Sequence, residues 1–214
     1  GAAAAPPLIR EALWSEAGNS WSESGMDLRA APLDDNGDLM FALGETGARV
    51  RGMIETALDL IGRTGRRPLT LGGDHSITYP VLRGLRPHCP RLSILHLDAH
   101  PDLYDVFEGD RYSHACPFAR VMEGGLADRL VQIGIRTMNG HQREQARKFG
   151  VEVIEMREWD GRRIAFDTPV YLSVDLDVLE PGLAPCVSPQ YTGGPTVTQV
   201  LNIIHSFVAP LVVA

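Results

Sequence analysis

Cysteine is scarce in this chain and basic charge is in deficit, and each shortage argues against a class of protein. The three cysteines, Cys89, Cys116 and Cys186, are odd in number and far apart, which speaks against a disulfide framework and against the close spacing of a zinc-thiolate site. They suit reduced thiols in the cytoplasm. The 20 basic residues are outnumbered by 27 acidic ones, for a formal net charge of -7, so neither nucleic acid nor an anionic membrane is expected as a partner. The one dense basic patch, Arg63 to Arg67, has the turn-forming order Arg-Thr-Gly-Arg-Arg and reads as a solvated loop. No apolar run approaches the roughly 20 residues that span a bilayer, and the alanine-rich start lacks the charged front and long apolar middle of a signal peptide. A soluble cytoplasmic protein is the expectation.

What is present is enough for one core. A hydrophobic fraction of 44% over 214 residues supports a single domain spanning 1–214. The 22 glycines and 15 prolines are dispersed, with no linker, repeat or low-complexity tract. Short apolar runs at 68–71, 92–97, 130–135, 151–154, 170–174 and 211–213 read as buried strands, and stretches of helical spacing at 48–61, 78–85, 142–149 and 197–207 alternate with them. The alternation predicts a three-layer α/β/α domain with a mostly parallel sheet. Thr196 and Gln199 form a capping-box pattern at the start of the last helix. In such sheets ligands gather at the carboxyl ends of the strands, so polar residues directly after an apolar run are where chemistry is sought.

Three of those strand ends are dense in metal-capable side chains. The first reads Gly72-Gly73-Asp74-His75-Ser76, where two glycines permit a tight turn and project His75 above the sheet edge. The second reads Asp98-Ala99-His100-Pro101-Asp102, and an extended backbone would turn Asp98, His100 and Asp102 to one side. The third runs Ser173-Val174-Asp175-Leu176-Asp177 and repeats the paired carboxylates of the second. Carboxylates crowded at the end of a buried strand repel one another at a cost of several kcal/mol unless a cation joins them. Four carboxylates and two imidazoles without a thiolate form a mainly oxygen-donor set that suits manganese or magnesium. Six ligands suit two ions bridged by shared carboxylates, and two divalent cations lower the pKa of a shared water enough to yield hydroxide near neutral pH.

These motifs resemble those of the ureohydrolase family of arginases, agmatinases and related guanidino-acid hydrolases, with the third motif running on through Glu180-Pro181-Gly182-Leu183-Ala184-Pro185. The resemblance covers nearly the whole chain, with all three motifs in family order. It implies two Mn2+ per chain. His75, Asp98, Asp102 and Asp175 would hold one, while His100, Asp98, Asp175 and Asp177 would hold the other. It implies hydroxide attack on the guanidinium carbon of a small-molecule guanidino substrate, release of urea and an amine, and a homo-oligomer of three or six chains. Asp102 would hydrogen-bond the nucleophile or the leaving amine, and His114 matches the family histidine that shuttles protons. The segment from Tyr104 to Phe118 is most similar to bacterial agmatinase-type and plant-type arginase sequences. Agmatine is the expected substrate, with arginine the alternative and a non-catalytic metal-binding subunit a third. For arginine, Arg111 and Arg120 are the candidates by position to meet the substrate carboxylate.

Two departures stand out. Family members usually carry an acidic residue where this chain has Gln199, and a neutral amide there forgoes a charge-assisted contact worth on the order of 2 to 3 kcal/mol. By comparison with the family, the chain is also expected to lack an additional strand before Pro7 and a further helix after Ala214.

Overall fold

The computed structural model describes residues 4–187 and 189–213. At its centre four strands, β1 (Ser93–Leu97), β2 (Arg129–Ile135), β3 (Glu152–Glu155) and β4 (Val170–Val174), form a parallel sheet in the order β3-β2-β1-β4. The helices are α1 (Ala5–Leu13), α2 (Gly47–Arg63), α3 (Thr78–Leu85), α4 (Pro117–Glu123), α5 (Gly140–Phe149) and α6 (Val197–Ser206). Every residue of β1 is buried, as an apolar strand with a neighbour on either side and helices on both faces must be. Alternate residues of the strands enter two separate cores. Ile94 and Leu130 pack with Leu58 of α2, Leu82 of α3 and Phe118 of α4, while Leu95, Leu97, Val131 and Ile133 pack with Val200 and Ile203 of α6. The three-layer arrangement follows from that division. No helix among the described residues is long and apolar enough to cross a membrane.

Local signals explain most element starts. Thr46 caps α2 by accepting from the amide of Arg49. Asn139 with Gln142, and Thr196 with Gln199, form the two capping boxes that begin α5 and α6. α5 ends on Gly150, whose φ of 65° closes the helix in the left-handed conformation.

Two expected strands differ from the structure. The run 68–71 is irregular, because Pro68 donates no hydrogen bond, Leu69 stands 81% exposed and no described strand lies beside it. The run 211–213 meets β4 only at one parallel bridge, Val170 with Val212, where the amide of Val170 donates to Leu211 O at 2.8 Å and that of Val213 to Val170 O at 2.9 Å. An earlier bridge joins Ala165 to Val208. The two bridges are five residues apart on one segment and four on the other, so the register slips and no continuous ladder forms. α1 and α4 lie outside the expected helical stretches, although each carries a proline in its first turn, the usual signal of a helix start.

Candidate metal centre

The three motifs meet at the carboxyl ends of β1 and β4 and in the turn before α3. Each is shaped by the same device, an aspartate that accepts the amide two residues on. Asp74 Oδ1 accepts from Ser76 N at 2.9 Å, Asp98 Oδ1 from His100 N at 2.5 Å, and Asp175 Oδ1 from Asp177 N at 2.8 Å. This turn chemistry, rather than extended alternation, sets the two-residue spacing. The expectation of an extended segment from Asp98 to Asp102 is therefore corrected. β1 ends at Leu97, the backbone bends at Ala99 and His100, and Asp102 adopts a left-handed φ of 48°. Left-handed backbone is strained for most residues and least so for aspartate and asparagine, and it concentrates at functional sites.

Asp98 is the shared element. It is 1% exposed, and its Oδ2 lies 3.5 Å from His75 Nε2 and 2.8 Å from His96 Nε2, while its Oδ1 lies 3.4 Å from His100 Nδ1. His100 Nδ1 reaches Asp177 Oδ2 at 2.9 Å, and His75 Nε2 reaches Asp175 Oδ2 at 3.2 Å. The backbone ties the two carboxylate turns together, because Ala99 N donates to Asp177 Oδ1 at 3.1 Å and Asp175 N to Leu97 O at 2.9 Å. Nitrogen and carboxylate oxygen atoms of His75, His96 and Asp98 form one compact group and those of Asp98, His100 and Asp177 a second, with Asp98 common to both, while the predicted ligands Asp102 and Asp175 belong to neither.

The electrostatics are those of anions packed too closely. Burial raises Asp102 well above the usual carboxylate range, and the charge of Asp98 raises it further. Burial likewise raises Asp177, although the bond from His100 opposes it. Burial alone would lower His75, but its bond to Asp175 and the charges of Asp102, Asp98 and Asp175 carry it to about 9. His100 behaves alike and reaches about 10 through Asp177 and Asp98. Protons on these side chains do the balancing that cations do better. The oxygen-rich, thiol-free donor set fits a pair of hard or borderline divalent ions.

His96 was missed from the sequence, although it extends the two-residue spacing of Asp98, His100 and Asp102 backwards into β1. It is wholly buried, and burial lowers its pKa. Gln132 on β2 explains its orientation. Gln132 Nε2 donates to Pro101 O at 2.7 Å, and a carbonyl oxygen only accepts, so the amide cannot be flipped. The same nitrogen lies 3.1 Å from His96 Nδ1, which must then accept. His96 consequently donates from Nε2 to Asp98. Such outer hydrogen bonds aim a ligand and commonly set a ten- to hundredfold difference in metal affinity. Gln132→Leu is expected to cost about 2 kcal/mol or more, from two buried acceptors left unpaired, and to weaken manganese binding roughly tenfold. Unchanged melting and affinity, by calorimetry, would rule the relay out.

The remaining residues singled out by sequence lie outside these two groups. His114 is exposed in the loop between β1 and α4, edge-on to Phe107 at 5.7 Å between centroids. Gln199 is exposed, and its Oε1 accepts from Thr196 N at 2.8 Å. Arg120 Nη2 bonds Asp105 at 2.5 Å and Nη1 lies 2.9 Å from Glu123, while Arg111 reaches Glu123 at 3.0 Å. Both guanidinium groups therefore face acidic neighbours, although Nε and Nη1 of Arg120 make no hydrogen bond. Glu180 Oε2 accepts from the amides of Gly193 at 2.7 Å and Gly194 at 2.9 Å, which fixes the turn that leads into α6. All three thiols are free.

Comparison with known proteins places this arrangement. A sequence model described as the arginase family matches residues 1–214. The mitochondrial arginase 1 of Arabidopsis thaliana is 44% identical over an alignment of 227 positions that covers 99% of this chain and 66% of that protein. The N(1)-aminopropylagmatine ureohydrolase of Thermus thermophilus is 36% identical over an alignment of 171 positions that covers 73% of this chain and 58% of that protein. Among solved structures, the arginase from Medicago truncatula superposes with a TM-score of 0.85 at 40% identity, over 97% of this chain and 70% of that one. The chain thus spans just under two thirds of the length of the Arabidopsis relative.

Proposed function

The chain belongs to the arginase family, and from that premise we propose that it is a hydrolase that uses two Mn2+ ions to cleave a guanidino compound into urea and an amine. The observation that supports this most is the sharing of buried Asp98 between two histidine-containing donor groups, since one carboxylate between two groups is what a pair of ions requires. His75, Asp98, Asp102 and Asp175 would hold one ion, and His100, Asp98, Asp175 and Asp177 the other. When bound, two such ions supply hydroxide near neutral pH and stabilise charge that develops during hydrolysis.

The chain's own groups do the rest. Asp102, set in a left-handed turn, would hydrogen-bond the nucleophile or the leaving amine. His114, open to solvent beyond Phe107, carries protons between site and bulk. His96 and Gln132 keep Asp98 aimed. Gln199 holds the start of α6 and meets the substrate without a charge. The chain would assemble as a homo-oligomer of three or six copies. It would act in the cytoplasm, with the mitochondrion as the alternative because the Arabidopsis relative is named mitochondrial.

On substrate, the matches shift the balance from agmatine to arginine. Relatives named arginase reach 44% identity over 99% of the chain, against 36% over 73% for the aminopropylagmatine enzyme. The second reading, agmatine or a substituted agmatine, rests on that latter match and on the acidic neighbours Asp105 and Glu123, which already offset the charges of Arg111 and Arg120. Urea release from arginine, agmatine and 4-guanidinobutyrate, measured in parallel with manganese, separates them. We expect arginine to be turned over fastest. Silence on all three with two ions bound would favour a non-catalytic subunit. In the same assay Gln199→Glu is expected to keep the melting temperature within a few degrees, since glutamate also fills the capping role, and to lower KM about tenfold by adding a charge opposite the guanidinium. An unchanged KM would confine Gln199 to capping.

A further inference from the structure

Arg136 stands just beyond the end of β2 and is unused by the mechanism above, yet it makes more polar contacts than any residue of the centre. Its Nε donates to Tyr191 O at 3.0 Å, its Nη1 to Gly134 O at 3.2 Å and Val178 O at 3.1 Å, and its Nη2 to Asp177 O at 2.8 Å, Leu179 O at 3.2 Å and Tyr191 O at 2.9 Å. All five donors of the guanidinium are thus engaged on backbone carbonyls. Its own amide donates to Ala99 O at 3.0 Å. One residue thereby grips the turn between Asp98 and His100 through its backbone, and the turn that carries Asp177 through its side chain. Tyr191, held at its carbonyl, sets its ring edge-on to His100 at 5.3 Å.

The local sequence is built to bring Arg136 there. Gly134 has a φ of 98° and sits where the β2–β3 register shifts between Ile133 and Ile135. A Cβ at that position would stand 2.7 Å from Val178 Cγ2 and 3.0 Å from Asp98 O. Only glycine allows β2 to come so close to both carboxylate turns.

We propose that Arg136 is the positioning residue of the His100 and Asp177 half of the metal centre, holding Asp177 and Tyr191 in register with His100 so that a second ion can bind. The proposal rests on the two-ion reading above. A planar fork with five fixed donors suits five carbonyls as no other side chain does, and lysine, with three donors on one atom, cannot reproduce it. The backbone grip on Ala99 survives exchange of the side chain for methionine or lysine, so the effect of those variants falls on the Asp177 side.

The test is manganese binding to the full chain, read by metal analysis after dialysis and by low-temperature electron paramagnetic resonance, with melting followed alongside. The parent is expected to hold two ions and give the exchange-coupled spectrum of a pair. Arg136→Met and Arg136→Lys are expected to keep a cooperative melting transition and one tight ion with the six-line spectrum of isolated Mn2+, with the second ion bound ten- to hundredfold more weakly. A coupled pair at parental affinity in either folded variant overturns the proposal. Failure of both variants to fold also overturns it, because the side chain would then serve the fold and not the site. If the parent itself never binds a pair, the two-ion reading fails first, and this inference falls with it.

Discussion

Asp98→Asn is expected to abolish manganese retention and urea release together while leaving the chain folded. The carboxylate of Asp98 receives His96 Nε2 at 2.8 Å and the His100 amide at 2.5 Å, and faces His75 and His100 at 3.5 and 3.4 Å. An amide retains a single acceptor oxygen, and its nitrogen, whichever way it is turned, sets a donor against a donor. The change therefore removes a ligand common to both donor groups and the hydrogen bonds that aim it. Metal content should fall from two ions per chain to well below one, and urea release by at least about a thousandfold, as when the ions that generate a nucleophile are lost. Folding should survive, because one negative charge leaves a set already crowded enough to raise Asp102. Added manganese raises the melting temperature of a chain that binds it and not of one that does not, so only the parent should respond. Two retained ions, or activity within tenfold of the parent, would defeat the assignment of Asp98.

Metal uptake should expel protons, and metal affinity should climb steeply with pH. Without metal His75 titrates near 9 and His100 near 10, and Asp102 holds its proton well above the usual carboxylate range. Ligation needs neutral imidazoles and ionised carboxylates, so binding near pH 7 must release about two protons per pair of ions, one each from His75 and His100, and the raised Asp102 adds to that release toward lower pH. The overall affinity is then expected to rise on the order of a hundredfold or more between pH 7 and pH 8, and to level off once His100 has lost its proton. Calorimetry in buffers of different ionisation enthalpy counts the protons directly.

The same shifts fix the stability of the metal-free chain. The two histidines have folded pKa values above their unfolded value near 6.5, so the stability they contribute is present in full below that value and is lost as pH rises through about 9 and 10. Asp102, raised in the folded state, acts in the same direction from the carboxylate range upward. Asp98 acts in the opposite sense. The surrounding His96, His100 and His75 outweigh its burial and hold it far below the usual range, so its contribution fades only as pH falls into strong acid. In chelator the melting temperature should therefore drop between pH 6.5 and 9.5, and with manganese it should rise over the same interval. A metal-free melting temperature that is flat or rising there, or binding without proton release, would contradict this account.

The sequence by itself determined the class of the fold, the motifs and the turn chemistry. β4 (Val170–Val174) and α3 (Thr78–Leu85) are legible to the residue, since each is a run of one periodicity. The capping box of Thr196 and Gln199 is equally legible because its partners lie three residues apart. Asp98, His100, Asp175 and Asp177 announce themselves because charge at the end of a buried strand is costly without a partner. Tertiary structure alone decided the rest. The runs at 68–71 and 211–213 have strand-like composition, but a strand exists only where a neighbour pairs with it in register, and that neighbour is remote in sequence. His96 looks like one more buried strand residue until Gln132, 36 positions away, fixes which nitrogen faces Asp98. Arg136 carries no motif at all, because the carbonyls that it binds belong to the backbone, which any sequence supplies, and only the folded chain brings Asp177, Leu179 and Tyr191 within its reach.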